Sequence, residues 1–207
     1  MHKYFFTTKD TFISSGSNET TGEDFKDKNA GKDEILELKK VFFDRSFSYP
    51  TRVLLQFDTN EIEGYISSSV LPKDYKLNLR LYETEGTSGL SEEYKIAAYP
   101  LSQEWDEGVG KEIDDPKTTD GCSWTYRKNR DGASEIEWTT SGGTYIAGDE
   151  VTQSFSSESP DINMDITSIA NKWFGGQNTN YGLLLRFSGS REQSTGSFED
   201  LKFFSRQ

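Results

Sequence analysis

Histidine and cysteine are almost missing from this chain of 207 residues, which has one of each, His2 and Cys122. A single cysteine cannot form a disulfide within the chain, so we expect Cys122 to be a small buried side chain. Zinc sites need clustered His and Cys, and a serine triad needs a histidine base. The sequence also contains no P-loop and no complete dinucleotide-binding glycine motif. We therefore expect a protein that is not an enzyme.

Long apolar runs and basic clusters are missing as well. Without a run of about 20 apolar residues, no membrane-spanning segment is expected. The first twenty residues lack the apolar stretch of a secretion signal, which indicates a protein made and kept in a cytoplasm. The net charge of −12 indicates solubility and argues against a broad nucleic-acid surface, because phosphate contacts need clustered Lys and Arg.

Aromatic residues and glycine are abundant instead, with 14 Phe, 10 Tyr, 4 Trp and 18 Gly. Each aromatic side chain buries a large area, so these residues can fill a core although only 32% of the chain is hydrophobic. The glycines suit a fold with many turns. The sequence shows no internal repeat and no separate linker, which predicts a single domain over residues 1–207.

Alternation with period two is the main structural signal. In residues 75–82 the odd positions are apolar and the even ones mostly polar, so one face packs on a core. Residues 52–58 are more continuously apolar and predict a central strand. The other predicted strands are 4–13, 34–42, 94–100, 136–140, 151–155, 181–188 and 201–205. About nine strands separated by polar turns predict an all-β, jelly-roll β-sandwich.

One segment has the period of a helix. Its apolar positions are Ile166, Ile169, Ala170 and Trp173. This spacing predicts one short helix over residues 167–173, with Thr167 as N-cap and Gly175 or Gly176 as the left-handed stop. We expect the helix to cover one end of the sandwich and Trp173 to be a core plug rather than a ligand platform.

The candidate ligand-binding residues are aromatic. Sugar binding uses exposed aromatic platforms beside polar groups, and Trp105, Trp124, Tyr126 and Trp138 are the candidates. The alternative is that a chain with few apolar residues needs its tryptophans inside. A long irregular stretch over residues 105–131 is a further candidate, because loops of this length often carry function or interfaces.

The candidate metal ligands are two carboxylates, Asp161 and Asp165, which could help to hold a structural Ca²⁺ ion. Their spacing does not match an EF-hand loop. The alternation around them also suits a strand on which Asp161, Asn163 and Asp165 point to solvent. No other cofactor is expected.

Eight short motifs follow one another along nearly the whole chain. They are KDTFI at 9–13, RVLLQFD at 52–58, LNLRLY at 77–82, WDEGVG at 105–110, GCSW at 121–124, Trp138 with GG at 142–143, DIT at 165–167 through Trp173, and YGLLL at 181–185. In this order they resemble the DNRLRE family of β-sandwich domains, which is related to a class of carbohydrate-binding modules. The resemblance implies that these residues are mainly framework, so no ligand site is carried over with them.

Two further stretches, residues 153–165 and 200–206, resemble the versions of this domain encoded by tailed phages, particularly marine and cyanobacterial myophages. That resemblance implies a non-catalytic virion structural protein: a head decoration, neck, tail or fibre-associated component assembled in the host cytoplasm. The expected partners are other virion proteins, including copies of this chain, and host polysaccharide. The alternative function is a carbohydrate-binding module or adhesin domain.

Domains of that family have another strand after the position of Ser205, whereas this sequence ends at Gln207. An unpaired sheet edge is a template for another chain. We therefore expect an interface at Leu201, Phe203 and Ser205, where a neighbouring subunit or partner adds a strand.

Overall fold

The computed structural model describes residues 2–17, 22–43, 47–68, 75–84, 94–130, 134–155, 161–193 and 199–207. These residues form eleven strands and two α-helices, α1 (Thr59–Ser68) and α2 (Thr167–Phe174), with 3₁₀ turns at Ala147–Asp149 and Gly189–Gln193. The strands are β1 (Thr7–Ser14), β2 (Ile35–Phe43), β3 (Phe47–Phe57), β4 (Asn78–Leu81), β5 (Tyr94–Pro100), β6 (Tyr126–Lys128), β7 (Ile136–Glu137), β8 (Val151–Phe155), β9 (Ile162–Asp165), β10 (Leu183–Phe187) and β11 (Glu199–Phe204). The predicted all-β, sandwich-like fold is confirmed. No helix in these ranges is long and apolar enough to cross a membrane.

The main sheet is antiparallel and branches along its longest strand, β3. Its order is β11-β2-β3-β10-β5-β8, and β1 also pairs with β3. The first half of β3 pairs with β2, and the second half pairs with β1 from Thr51 onward. At this branch the Thr51 hydroxyl accepts the Lys39 N–H at 2.7 Å and donates to the Glu37 carbonyl at 2.6 Å. Beyond Thr51, β2 therefore diverges from β3 and continues alongside β11.

A smaller sheet, β4 with β9, lies across the core from the main sheet. It contacts both edge strands of the main sheet, β11 and β8. At one end the Thr84 N–H donates to the Lys202 carbonyl at 2.8 Å, next to a bridge between Glu83 and Phe203. At the other end the Gln153 side chain of β8 accepts the Asn163 N–H of β9 at 2.8 Å. The result is a sandwich that is nearly closed at both sides.

The inner core lies between the two sheets and takes every second residue of their strands. Its larger members are Leu36, Leu38, Val53, Leu55, Leu79, Leu81, Ile96, Ile162, Met164, Leu183, Leu185, Phe187, Leu201 and Phe203. Helix α2 covers one end of this core with its buried face of Ile169, Ala170 and Trp173. The predicted helix and the predicted burial of Trp173 are both confirmed.

An outer core lies on the opposite face of the main sheet, beneath residues 101–146. Its members are Ile13, Leu54, Ala97, Tyr99, Leu101, Trp105, Cys122, Trp138 and Leu184. The middle of β3 is therefore buried on both faces, which explains why its sequence is continuously apolar rather than alternating. The predicted burial of Cys122 is confirmed, and burial raises the pKa of its thiol.

Two details of the helices differ from the sequence prediction. Thr167 is the first helical residue rather than the N-cap, because its hydroxyl accepts the Leu77 N–H while Asp165 accepts the Thr167 N–H. Helix α1 was not predicted from sequence; it begins where Asp58 accepts the Asn60 N–H at 2.9 Å, and it buries only Ile62. Its apolar residues Ile62, Tyr65 and Ile66 have helical spacing but form a stripe of only one turn.

Candidate functional site

A groove of about 540 Å³ lies beside β4. It is lined by three continuous stretches of chain, residues 2–7, 76–82 and 204–206, together with inner-core residues. We call this feature the β4 groove. It lies where the two sheets of the sandwich separate, so its floor consists of inner-core residues.

The floor of the β4 groove is apolar. It consists of Leu55, Ile62, Leu79, Leu81, Ile166, Ala170 and Trp173. The one polar side-chain atom in that set, Trp173 Nε1, is buried and has no hydrogen-bond partner among the described residues. A hydroxyl group placed against the aliphatic floor would lose its hydrogen bonds to water, which costs free energy, whereas an apolar side chain would not.

The rim of the β4 groove is aromatic and exposed. Tyr4, Phe6, Tyr82 and Phe204 all line it, and each is between 52% and 79% exposed. Large apolar residues that cluster on a surface commonly mark an interaction site, whereas isolated ones do not. Four exposed aromatic residues around one groove therefore make it the candidate binding site.

The rim is also basic, in a chain whose net charge is −12. The basic side chains that line it are those of His2, Lys3, Lys76, Arg80 and Arg206. Arg206 is held by Glu107 at 2.5 Å, whereas Lys76 and Arg80 form no salt bridge with any residue that the structure describes. Among the described residues, the one lining carboxylate, Asp10, is buried. The groove therefore favours an anionic partner.

Asp10 fixes the end of the groove rather than offering a reactive carboxylate. It accepts hydrogen bonds from the Ser205 hydroxyl and the Arg206 N–H, both at 3.0 Å. Phe5 packs edge-on against Tyr65 of α1 at 5.8 Å between ring centroids. These contacts hold two of the chain stretches that border the groove.

The tryptophans predicted as ligand platforms do not lie on the groove. Trp105 and Trp138 are buried in the outer core, where their ring nitrogens donate to Tyr181 and Ser123 carbonyls at 2.8 and 2.9 Å. Neither ring presents a face to a ligand, so these two predictions are wrong. The outer face of the main sheet is apolar, and these two rings help to shield it from water.

The other two aromatic candidates are half-buried. The Trp124 ring is covered by the Arg52 guanidinium, 4.7 Å from the ring centroid, so it is part of the packing around the outer core. Tyr126 lies on β6, where the nearby carboxylate of Glu135 raises the pKa of its hydroxyl. The structure does not bring these rings together into a platform with Trp105 or Trp138.

The irregular stretch predicted over 105–131 is described up to residue 130, and the side chain of Asn29 contributes to holding it as framework. Its amide donates to the Glu107 and Cys122 carbonyls, both at 2.8 Å. Its carbonyl oxygen accepts the Gly110 N–H at 2.8 Å. A Cβ built on Gly121 would lie 2.3 Å from the Gly108 Cα, so only glycines allow these two turns to touch. The stretch is thus a packed cover over the sheet.

The two candidate calcium ligands lie at opposite ends of β9. At about 3.3 Å per residue they are roughly 13 Å apart, which is too far for one ion to bind both. The Asp161 carboxylate accepts the Glu83 N–H at 3.0 Å, and hydrogen bonds from Thr167 lower the pKa of Asp165. No cluster of three metal-ligating side chains occurs within the ranges that the structure covers. The alternative interpretation as a strand with exposed Asp161, Asn163 and Asp165 is confirmed.

The interface predicted on β11 is wrong at Phe203, where the chain itself bridges the edge through Glu83. Leu201 and Phe203 are fully buried in the inner core, and the Ser205 hydroxyl is bound to Asp10. The outer edge of β11 is already occupied by the chain itself, because Phe204 donates its N–H to the Tyr82 carbonyl at 3.2 Å. A partner strand therefore cannot pair with β11 over Lys202–Phe204.

No family model matches this chain, and no curated protein matches it. The function is therefore argued from the geometry and chemistry of the site.

Proposed function

We propose that this protein is a non-catalytic virion structural protein that acts by binding other proteins through the β4 groove. The observation that carries the proposal is the groove itself, with its aliphatic floor and four exposed aromatic residues on the rim. Aromatic residues are enriched at protein interfaces, where they provide much of the binding energy.

The chemistry of the groove supports binding rather than catalysis. Asp10, the one carboxylate that lines it within the described part of the chain, forms hydrogen bonds with Ser205 and Arg206. The basic side chains of the groove suit ionic contact with a partner. The virion context rests on the sequence alone, on the motif order and the resemblance to phage-encoded domains.

The test is site-specific cross-linking in the source particle. A photoreactive phenylalanine analogue replaces Phe204 on the rim, and a matched control replaces Ile136, an exposed residue outside the groove. We expect the Phe204 probe, and not the Ile136 probe, to cross-link a particle protein that mass spectrometry can identify. Absence of the protein from the purified particle, or equal cross-linking from both positions, would contradict the proposal.

A second candidate function is a carbohydrate-binding module, which the exposed rim aromatics favour. Tyr82 and Phe204 present apolar ring faces beside polar and charged groups, an arrangement that suits a sugar ring. The test is retention on immobilised polysaccharides. Binding that is lost in Tyr82→Ala and kept in Tyr126→Ala would favour this candidate over protein binding.

A further inference from the structure

Strand β4 has one sheet neighbour along its length. It pairs with β9 on one side, from Asn78 opposite Asp165 to Leu81 opposite Ile162. On the other side the chain contacts β11 only after β4 has ended, through Tyr82 and Thr84. Within the described ranges, Asn78–Leu81 therefore has an edge with no strand beside it.

The chain after β11 turns away from this edge. The Ser205 N–H donates to the Glu34 carbonyl at 3.0 Å, and the Arg206 N–H donates to Asp10 at 3.0 Å. Both bonds direct the backbone toward β1 and β2 rather than along β4. The space left beside β4 is the β4 groove, which lies between residues 76–82 and residues 2–7.

The two faces of residues 76–81 differ in chemistry. Leu79 and Leu81 point to the inner core, whereas Lys76, Asn78 and Arg80 are exposed. A strand added beside β4 would have the same alternation, since successive side chains of a strand point to opposite faces. Its inward residues would contact the apolar floor, and its outward residues would lie beside Lys76 and Arg80.

We propose that the β4 groove is a strand-addition site that binds an extended segment of a partner protein with alternating apolar and acidic residues. This inference rests on the proposed function, and it names the form and chemistry of the partner. The apolar residues of the segment pack on the floor around Leu79, its acidic residues pair with Lys76 and Arg80, and its backbone pairs with the free edge of β4.

Three observations favour a peptide over a sugar as the occupant. The floor is aliphatic and offers no acceptor or donor for sugar hydroxyls apart from the buried Trp173 Nε1. The free β4 edge offers backbone groups in the spacing that another strand matches. The free edge Asn78–Leu81 extends over about 13 Å at roughly 3.3 Å per residue, the length of a short strand.

The test uses a synthetic, fluorescently labelled peptide of alternating valine and glutamate, with binding measured by fluorescence anisotropy. Three control peptides accompany it: a block-ordered peptide of the same composition, an alternating valine and lysine peptide, and the first peptide with every second amide N-methylated. We expect binding of the alternating acidic peptide alone. N-methylation removes the backbone donors along one edge, so its effect reports strand pairing.

Charge-reversal variants locate the binding. We expect Lys76→Glu and Arg80→Glu each to weaken binding of the acidic peptide about tenfold, and the lysine peptide to bind these variants better than the native protein. Arg130→Glu, which reverses an exposed charge outside the groove, should leave the affinity unchanged. All three positions are exposed, so the variants are expected to fold.

The inference is overturned if the block-ordered or N-methylated peptide binds as well as the alternating one, if none binds, or if Arg130→Glu weakens binding equally. It is also overturned if a polysaccharide binds at the groove and no peptide does. Cross-linking from Phe204 to a particle protein would then still support the proposed function, because that experiment does not depend on a strand. Peptide binding without any cross-linked particle protein would sustain the inference and remove the virion role.

Discussion

Glu192 is a buried carboxylate that two arginines share. Its oxygens accept hydrogen bonds from Arg52 at 2.8 and 2.9 Å and form an ion pair with Arg186 at 2.6 Å. Arg186 also donates to the Tyr145 hydroxyl at 2.8 Å. This cluster connects the turn at Gly189–Gln193 to strands β3 and β10. It lies next to the outer core.

Removing the charge of Glu192 should be strongly destabilising. In Glu192→Gln the two guanidinium groups remain buried without a carboxylate, which costs about 3–5 kcal/mol of unfolding free energy. Glu137→Gln, at an exposed strand position, should change stability by less than about 0.5 kcal/mol. Urea unfolding followed by far-UV circular dichroism measures both, and equal effects would show that the cluster contributes little.

Trp173 combines a large buried ring with a ring nitrogen that has no hydrogen-bond partner in the described part of the chain. We expect Trp173→Ala to cost about 3–5 kcal/mol, because it removes a ring from the end of the inner core. Trp173→Phe should cost much less, since it keeps most of the ring and removes a buried donor whose burial costs about 1–3 kcal/mol. Thermal unfolding of both variants checks the order, and a small shift for Trp173→Ala would mean that the ring is not part of the core.

The cover that the stretch 105–131 forms over the sheet depends on close contact between its turns. Glycine residues permit this contact. Gly121 has a φ of 119° and lies against Gly108, so Gly121→Ala introduces both backbone strain and a clash with backbone. We expect a loss of at least about 3 kcal/mol of unfolding free energy. Gly148→Ala is the matched control, because a Cβ there meets no atom within 4 Å. Similar unfolding midpoints for the two variants would contradict the proposed packing.

Helix α2 is tied to the 3₁₀ turn before β8 by a carboxylate whose stability contribution depends on pH. The Lys172 ammonium, bonded to Asp149, and then Asn178 hold the pKa of Asp149 below its usual range. A lowered pKa contributes stability above the unfolded value of about 3.9, and this contribution is lost as the pH falls through the folded value. Asp149→Asn should therefore be less stable than the native protein near neutral pH, by a margin that shrinks in acid.

The measurement is urea unfolding of the native protein and Asp149→Asn from neutral pH down to about pH 3, a range that spans carboxyl titration. Lys172→Gln provides the control background, because without the ammonium the carboxylate loses its main partner. A margin between the two proteins that grows in acid would contradict the sign of the effect.

How far sequence predicts each element depends on where its side chains go. Strands β4 and β9 show clean alternation because each has one buried face, and the continuous run in β3 follows from burial on both faces. Helix α1 is harder to predict, because its apolar residues with helical spacing, Ile62, Tyr65 and Ile66, cover only one turn and only Ile62 is fully buried. The turns in the stretch 105–131 are held by hydrogen bonds with Asn29, which is distant in sequence, so local sequence does not predict them.

The candidate site is harder to predict because it depends on what the fold leaves unpaired. The alternating residues 75–82 predict correctly which side chains face water. They do not show that the edge of β4 lacks a neighbour, since this follows from the turn of the chain at Ser205 toward Glu34. One local signal was available: Tyr82 is an aromatic residue at a polar position of the alternating pattern.

At the scale of the whole molecule, one sheet serves two cores. Val53 and Leu55 of β3 face the inner core, and Leu54 between them faces the outer core. The same alternation places Leu184 of β10 in the outer core between two inner-core leucines. We therefore expect the two cores to lose their packing together.

This sharing predicts a single cooperative unfolding transition for residues 1–207, which tests the prediction of one domain. In Trp173→Phe the remaining tryptophans, Trp105, Trp124 and Trp138, all lie in or against the outer core, so their fluorescence reports that core alone. We expect this fluorescence and the far-UV circular dichroism of the sheet to change at the same urea concentration. Adding Leu184→Ala should lower the unfolding free energy by about 2–5 kcal/mol. Both transitions should then move together to a lower urea concentration. If the fluorescence changed at lower urea than the circular dichroism, the cover over the outer face would be a separate unit, and the two cores would not be coupled through the strands that they share.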